Sequence, residues 1–239
     1  MNTIVGDPVP ARPRCAAPLR GDAADLMNPQ QREELEVTIR SHAEGGDLAG
    51  AAEIALRGYG REIFEFLAAL HRQDDDAAEV FSLFAEGLWR GLPRFGWRSS
   101  FRTWAYAVAR KASLRFRRDA RRRAARGAPL PDSSRLEAIA AEVRTQTQSW
   151  LQTERKNRFT ALRESLPSED QALLLLRVDR QLSWIDLARV LHEDDGAPLE
   201  GDALKREAAR LRKRFQLIKE KLYEMGRREG LVRRDDDDT

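Results

Sequence analysis

Two runs of basic side chains are the residues of this chain best suited to chemistry, and the chemistry they suit is phosphate binding. Arg110 to Arg126 holds nine Lys or Arg and one acid, Asp119, and Lys205 to Lys221 holds eight basic residues and two acids. The chain as a whole carries 42 Lys+Arg against 39 Asp+Glu, so net charge says little about partners. The sorting of charge says more, because blocks of cations release the counterions condensed on a phosphate backbone. The acids collect elsewhere, at Asp74–Asp76, Glu193–Asp195 and Asp235–Asp238.

The first run is interleaved with aromatics. Trp97, Arg98, Ser99, Phe101, Arg102, Trp104 and Tyr106 precede Arg110, Lys111, Arg115, Arg117 and Arg118. Bases stack on rings while arginines hold the backbone, a mixture suited to single-stranded DNA. Phe101 and Trp104 fall on a core stripe, so packing is their expected role, whereas Trp97 and Tyr106 are freer to face a ligand. The second run lies on an apolar four-three seam of Leu204, Ala208, Leu211, Phe215, Ile218 and Leu222. It follows a short helix with Ile185, Leu187, Ala188 and Leu191, and the pair reads as a helix-turn-helix. Its second helix would offer Lys205, Arg206 and Arg210 to a major groove, with further cations on phosphates. The plain alternative is a solvated bundle helix; the seam covers fewer than three heptads, too little for a coiled coil.

Other chemistries lack their residues. Asp74, Asp75, Asp76 and Glu79 are the only candidate metal-ligand group, and a run of acids at a helix start more often opposes the helix dipole. His42, His71 and His192 are scattered, and no Gly-rich phosphate loop or Ser/His/Asp set is present. Cys15 alone makes no disulfide or Cys-based zinc site. The expectation is a protein that is not an enzyme, with no metal, no cofactor and no small-molecule substrate. No apolar run nears the roughly twenty residues of a membrane span and no signal-peptide core is visible, so a cytoplasmic location with no membrane partner is expected.

The elements that position these residues read as helices almost throughout, an all-α fold of two helical domains joined by a linker. Residues 1–29, with five prolines, read as a disordered leader. In the first domain, 30–123, one stripe is Leu56, Tyr59, Ile63, Leu67 and Leu70, in a helix opening after Asp47. A second is Ala77, Val80, Phe81, Phe84 and Leu88, ending before Pro93. A third is Phe101, Trp104, Ala105, Val108 and Ala112; spacings of three and four make each a core face. A linker with a helical segment spans 124–158: Gly127, Pro129 and Pro131 mark it, and Ser134 with Glu137 would cap a helix carrying Leu136, Ile139, Ala140 and Val143. Trp150, Leu151, Phe159 and Leu162 follow. The second domain, 159–230, has capping-box candidates at Ser168 with Gln171 and Ser183 with Asp186, and a last helix opening at Asp202. An acidic tail occupies 231–239. The linker is expected to hold the two basic helices apart.

Read together, DAAEVFSLFAEGLWR (76–90), FGWRSSFRTWAYAVARK (95–111), LPSEDQALLLLRVDRQLSWIDLARVLH (166–192) and LKREAARLRKRF (204–215) resemble a bacterial extracytoplasmic-function sigma factor. SSFRTWAYAVAR is the most specific string, and the resemblance runs over about residues 47–225. It implies that 30–123 is region-two-like and 159–230 region-four-like, with core RNA polymerase and promoter DNA as partners and an anti-sigma factor as a further candidate. Polymerase would be met by Glu79, Phe84 and Trp89. The minus-ten element would be opened and held by Trp97, Arg98, Ser99, Phe101, Arg102, Tyr106, Arg110, Lys111, Arg115 and Arg118. The minus-thirty-five element would be read by Lys205, Arg206, Arg210, Lys213 and Arg214. The chain departs from the family at Ser82-Leu83, where Gln-Glu is frequent, at Lys111 for Asn, and at Arg115 for an acid; the His192–Asp202 turn is longer and acidic. The other reading is a helix-turn-helix regulator that binds duplex DNA without polymerase.

Overall fold

The computed structural model describes residues 27–123, 138–144, 158–192 and 199–231. The leader, most of the linker, Trp150 and Leu151, the acidic turn at 193–198 and the tail lie outside the described residues. Every regular element described is helical, with no strand among them; the fold is all-α.

Helix α1 (Pro29–Glu44) starts with a reciprocal cap in which the Gln31 amide donates to Asn28 Oδ1 and the Asn28 amide to Gln31 Oε1. Pro29 at the first position gives up no hydrogen bond, since helix-start amides have no internal partner. Gly46 at φ 81° turns the chain, and Asp47 caps α2 (Leu48–Leu70) by accepting from the Gly50 amide at 2.9 Å. The α1–α2 crossing is close: a Cβ on Gly58 would stand 2.4 Å from Leu35. Asp74, Asp75 and Asp76 occupy the first turn of α3 (Asp74–Gly91), where carboxylates oppose the helix dipole favourably. A short 3-10 turn, Leu92–Arg94, leads through residues 95–100 into α4 (Phe101–Arg123).

All ten residues of the first two expected stripes are buried, as are Phe101, Ala105 and Ala112 of the third. Trp104 and Val108 are half-buried against the same core. Phe64 meets Phe81 edge-on at 5.3 Å and Phe66 meets Tyr106 at 5.4 Å, the geometry ring quadrupoles favour. Residues 138–144 form α5, with Ile139 and Ala140 buried.

The C-terminal helices are α6 (Arg158–Glu164), α7 (Ser168–Leu174) widening into a π-turn at Leu175–Asp179, α8 (Trp184–Leu191) and α9 (Gly201–Arg228). Ser183 caps α8, accepting from the Asp186 amide at 3.1 Å. The expected box at Ser168 does not form. Pro167 holds the cap position, and the Gln171 side chain donates backwards to the Glu164 and Leu166 carbonyls. Helix α9 opens at Gly201, one residue before the expected Asp202. Leu204, Ala208, Leu211 and Ile218 are buried along it, with Phe215 and Leu222 packed at the edge of that core.

The expectation that the two units stand apart is not met. Helix α4 packs on α8, and α2 reaches α7. The physical reason is a set of polar contacts across the boundary, described next.

Candidate nucleic-acid interface

The loop before α4 is an aromatic cluster. Phe95 stacks on Trp104 at 4.7 Å and contacts Trp97 at the same distance, and Phe101 meets Phe95 edge-on at 5.8 Å. Trp97 has φ 53°, a left-handed conformation that costs a non-glycine residue on the order of 1 kcal/mol or more. The cluster over-determines it, and Arg40 of α1 covers its ring at 5.4 Å. Trp97 is therefore half-buried rather than free.

The α4 N-terminus is held by a residue the sequence reading missed. Glu36 of α1 accepts the Phe101 amide at 2.6 Å and the Arg102 amide at 2.8 Å, and the Tyr59 hydroxyl donates to it at 2.9 Å. A carboxylate at a helix N-terminus satisfies orphan amides and meets the positive end of the dipole. Burial, with Glu36 alongside, raises the Tyr59 hydroxyl far above its ordinary pKa, so it stays a donor.

Helix α4 divides its charges between two faces. Lys111, Arg115 and Arg118, at steps of four and three, form an exposed stripe. Arg115 pairs loosely with Asp119 at 3.6 Å. Arg102, Tyr106 and Arg110, at steps of four, form the opposite stripe and are buried, at 9 %, 0 % and 3 % exposed. Arg102 binds Glu62 through two nitrogens, at 2.8 and 3.0 Å, and donates to the Arg180 carbonyl at 3.1 Å. Arg180 itself reaches Glu65 at 2.7 Å. Burial alone would lower both guanidiniums, but Glu62 for Arg102, and Tyr106 with Glu65 for Arg180, outweigh it and hold both above their ordinary values. Arg110 pairs with Glu169 of α7. The Tyr106 hydroxyl is buried with no hydrogen-bond partner among the described residues, and burial raises its pKa.

Of the ten residues expected at the minus-ten element, Phe101, Arg102, Tyr106 and Arg110 are thus enclosed. Tyr106, expected to be freer to face a ligand, is corrected to a core residue. Arg98 is exposed and pairs with Glu200 at 2.6 Å, Ser99 is half-exposed in the loop, and Lys111, Arg115 and Arg118 face outward.

On α9, Lys205, Arg206, Arg210 and Lys213 are exposed. Arg206, Arg210 and Lys213 share one face at steps of four and three. Arg210 is pre-oriented by a two-nitrogen pairing with Glu207 at 2.7 and 2.8 Å. Arg214 does not join them, because Asp170 of α7 binds its Nε at 2.6 Å. Trp184 ties α8 to α9 by an edge contact with Phe215 at 5.6 Å, and Arg177 and Arg212 lie over its ring at 4.7 and 5.5 Å. On α3, Glu79 is exposed and Trp89 is 38 % exposed, but Phe84 is 1 % exposed and belongs to the core. No group of three or more potential metal ligands gathers among the described residues, and no described helix is long and apolar enough to cross a membrane.

Residues 56–123 match the family model of sigma-70 region 2. The match takes in α2 from Leu56, all of α3, the aromatic loop and α4, under a third of the chain. No curated protein and no solved structure matches the chain.

Proposed function

We propose that this chain is a sigma factor of the extracytoplasmic-function type, which directs core RNA polymerase to promoters and does no catalysis of its own. The observation that carries the reading is the coincidence of the region 2 match with one outward arginine-lysine stripe and one aromatic loop. Lys111, Arg115 and Arg118 bind the phosphates of the minus-ten segment, and the Phe95–Phe101 loop takes its opened strand. Stacking on aromatic rings is worth about 1–3 kcal/mol per base, which offsets the few kcal/mol needed to unstack one.

Helices α8 and α9 act as a helix-turn-helix on the minus-thirty-five element. Arg206, Arg210 and Lys213 meet the duplex, with Lys205 at the entry of the helix. Arg214 supports α9 from within. Glu79 and Trp89 on α3 meet core polymerase, with Phe84 as the packing beneath them. The site of action is the cytoplasm, where promoter DNA is found.

Arg110, held by Glu169 of α7, reaches DNA only when the C-terminal helices leave α4. The closed arrangement is then a state of the free protein, and polymerase and promoter engage an opened one. Run-off transcription tests the reading. Purified core with this chain starts at defined positions on genomic fragments where core alone does not; tight core binding without defined starts would mark a decoy, and no core binding would remove the sigma reading.

A further inference from the structure

Resting on the sigma-factor reading, we infer that α5 is an internal competitor of core polymerase, seated on the same face of α3 that carries Glu79. Helix α5 lies against α2 and α3 at a place shaped by small residues. Both Val143 methyls approach α2 so closely at Gly60 that a Cβ there would stand 3.3 Å from each. Ile139 and Ala140 are 4 % and 2 % exposed. Arg144 then reaches over α3, donating to Ser82 Oγ at 2.6 Å and to the Ala78 carbonyl at 3.3 Å. Ala78 and Ser82 bracket Glu79, and Glu79 and Ser82 lie three apart on one helix face.

Ser82 is the residue that makes this seat. Its short side chain accepts from Arg144 at 2.6 Å while leaving the guanidinium in reach of the Ala78 carbonyl on the α3 backbone. A longer side chain there would fill that space. The Glu142–Arg57 pair at 3.5 Å is half-exposed on both sides and adds little.

Among the described residues the contact is small, with seven residues in α5 and one cation, Arg144, reaching α3. A small contact suffices because α5 is tethered: 14 residues separate it from α4 and 13 from α6. Tethering by short linkers gives effective concentrations on the order of millimolar, so a weak contact stays occupied until a partner displaces it. Polymerase approaching Glu79 must lift Arg144 from Ser82, and its apparent affinity is reduced by the fraction of chains with α5 unseated.

The experiment measures the affinity of the full-length chain for core polymerase in wild type, Val143→Asp and Arg144→Ala, with thermal melting as a check on folding. Both variants should bind core more tightly, by roughly three- to tenfold. In a Cys15→Ser background, Gly60→Cys with Val143→Cys should form a bridge, since the Gly60 Cβ position lies within reach of Val143. Oxidation should then abolish core binding and reduction restore it. Unchanged affinity in both variants, or equal binding by the bridged and reduced forms, overturns the proposal while leaving the sigma reading intact. Weaker binding by the variants also overturns it, by making α5 part of the polymerase contact. A wild-type chain that does not bind core removes both readings.

Discussion

Arg180, on the turn before α8, is bound by Glu65 of α2 at 2.7 Å with both side chains almost fully enclosed, at 11 % and 12 % exposed. Its carbonyl meanwhile receives a hydrogen bond from Arg102. One residue of the C-terminal unit thus completes a charge network whose carboxylates, Glu62 and Glu65, belong to the first. Removing Arg180 leaves Glu65 with Arg61 alone, at 3.0 Å, at a cost below the about 3–5 kcal/mol of a wholly orphaned buried charge. Separation of the units rehydrates Glu65 and removes that cost. Arg180→Ala should therefore shift the free protein toward an opened form. Small-angle scattering checks this: the radius of gyration should rise relative to wild type, and an unchanged value would mean that the remaining contacts, the Arg110–Glu169 pair and the α4–α8 packing among them, hold the units closed.

Glu36 is expected to matter for α4 although it lies outside the matched segment. Glu36→Ala orphans two amides and one hydroxyl. Loss of a helix cap costs about 0.5–2 kcal/mol, and the charge-assisted bonds place this case toward the upper end. Chemical denaturation should show that loss, and hydrogen exchange should localise it to the Phe101 and Arg102 amides. Glu36→Gln should recover part of the loss, because its one oxygen still accepts.

His71 gives the fold a pH dependence with a defined sign. It is 5 % exposed, contacts Ser113 Oγ through Nε2 at 2.7 Å, and packs edge-on against Phe116. Burial, helped by the nearby Arg117 charge, lowers its pKa from 6.5 to about 4. The unfolded chain therefore takes up this proton before the folded one does. The stability from neutral His71 is fully present above about pH 6.5 and is lost as pH falls toward 4, by on the order of 2–3 kcal/mol. Melting temperatures between pH 7.5 and 5 should fall in wild type and flatten in His71→Gln; parallel curves would remove His71 as the cause.

The two basic helices should fail differently when mutated. Arg206→Ala on α9 should cost about 1–3 kcal/mol on the correct upstream element and relax discrimination there. Arg118→Ala on α4 should weaken binding almost evenly across sequences and reduce the salt slope by about one phosphate. Promoter binding by the polymerase complex, measured over a salt series with matched and mutated upstream elements, separates the two. Equal effects on specificity would reverse the assignment.

Local pattern carried the helices well, for reasons visible in particular residues. Tyr59, Ile63 and Leu67, or Val80, Phe84 and Leu88, need only helical spacing to declare a buried face, and the structure buries them all. Ser183 with Asp186 declared a cap within four residues. The site was only half legible. The exposed stripe of Lys111, Arg115 and Arg118 follows from spacing, but the fate of Arg102 and Arg110 depends on carboxylates 40 and 59 residues away, Glu62 and Glu169. A cation reads as exposed until its distant partner is known. Trp97 and Tyr106 differ from expectation for a related reason, since an aromatic off the expected stripe is enclosed by rings distant in sequence or in another cluster, Phe95 for Trp97 and Phe66 for Tyr106. Ser168 failed as a cap because Pro167 fixed the preceding backbone and Gln171 found nearer carbonyls.

The central claim, that this chain opens promoter DNA together with polymerase, is tested most directly by permanganate reactivity of thymines across a promoter selected by the chain. Thymines in the minus-ten segment should become reactive only when core polymerase and the chain are both present, and Arg118→Ala should reduce this signal. Protection of the duplex by the chain alone, with no reactive thymines after core is added, would contradict it and point to a regulator of double-stranded DNA.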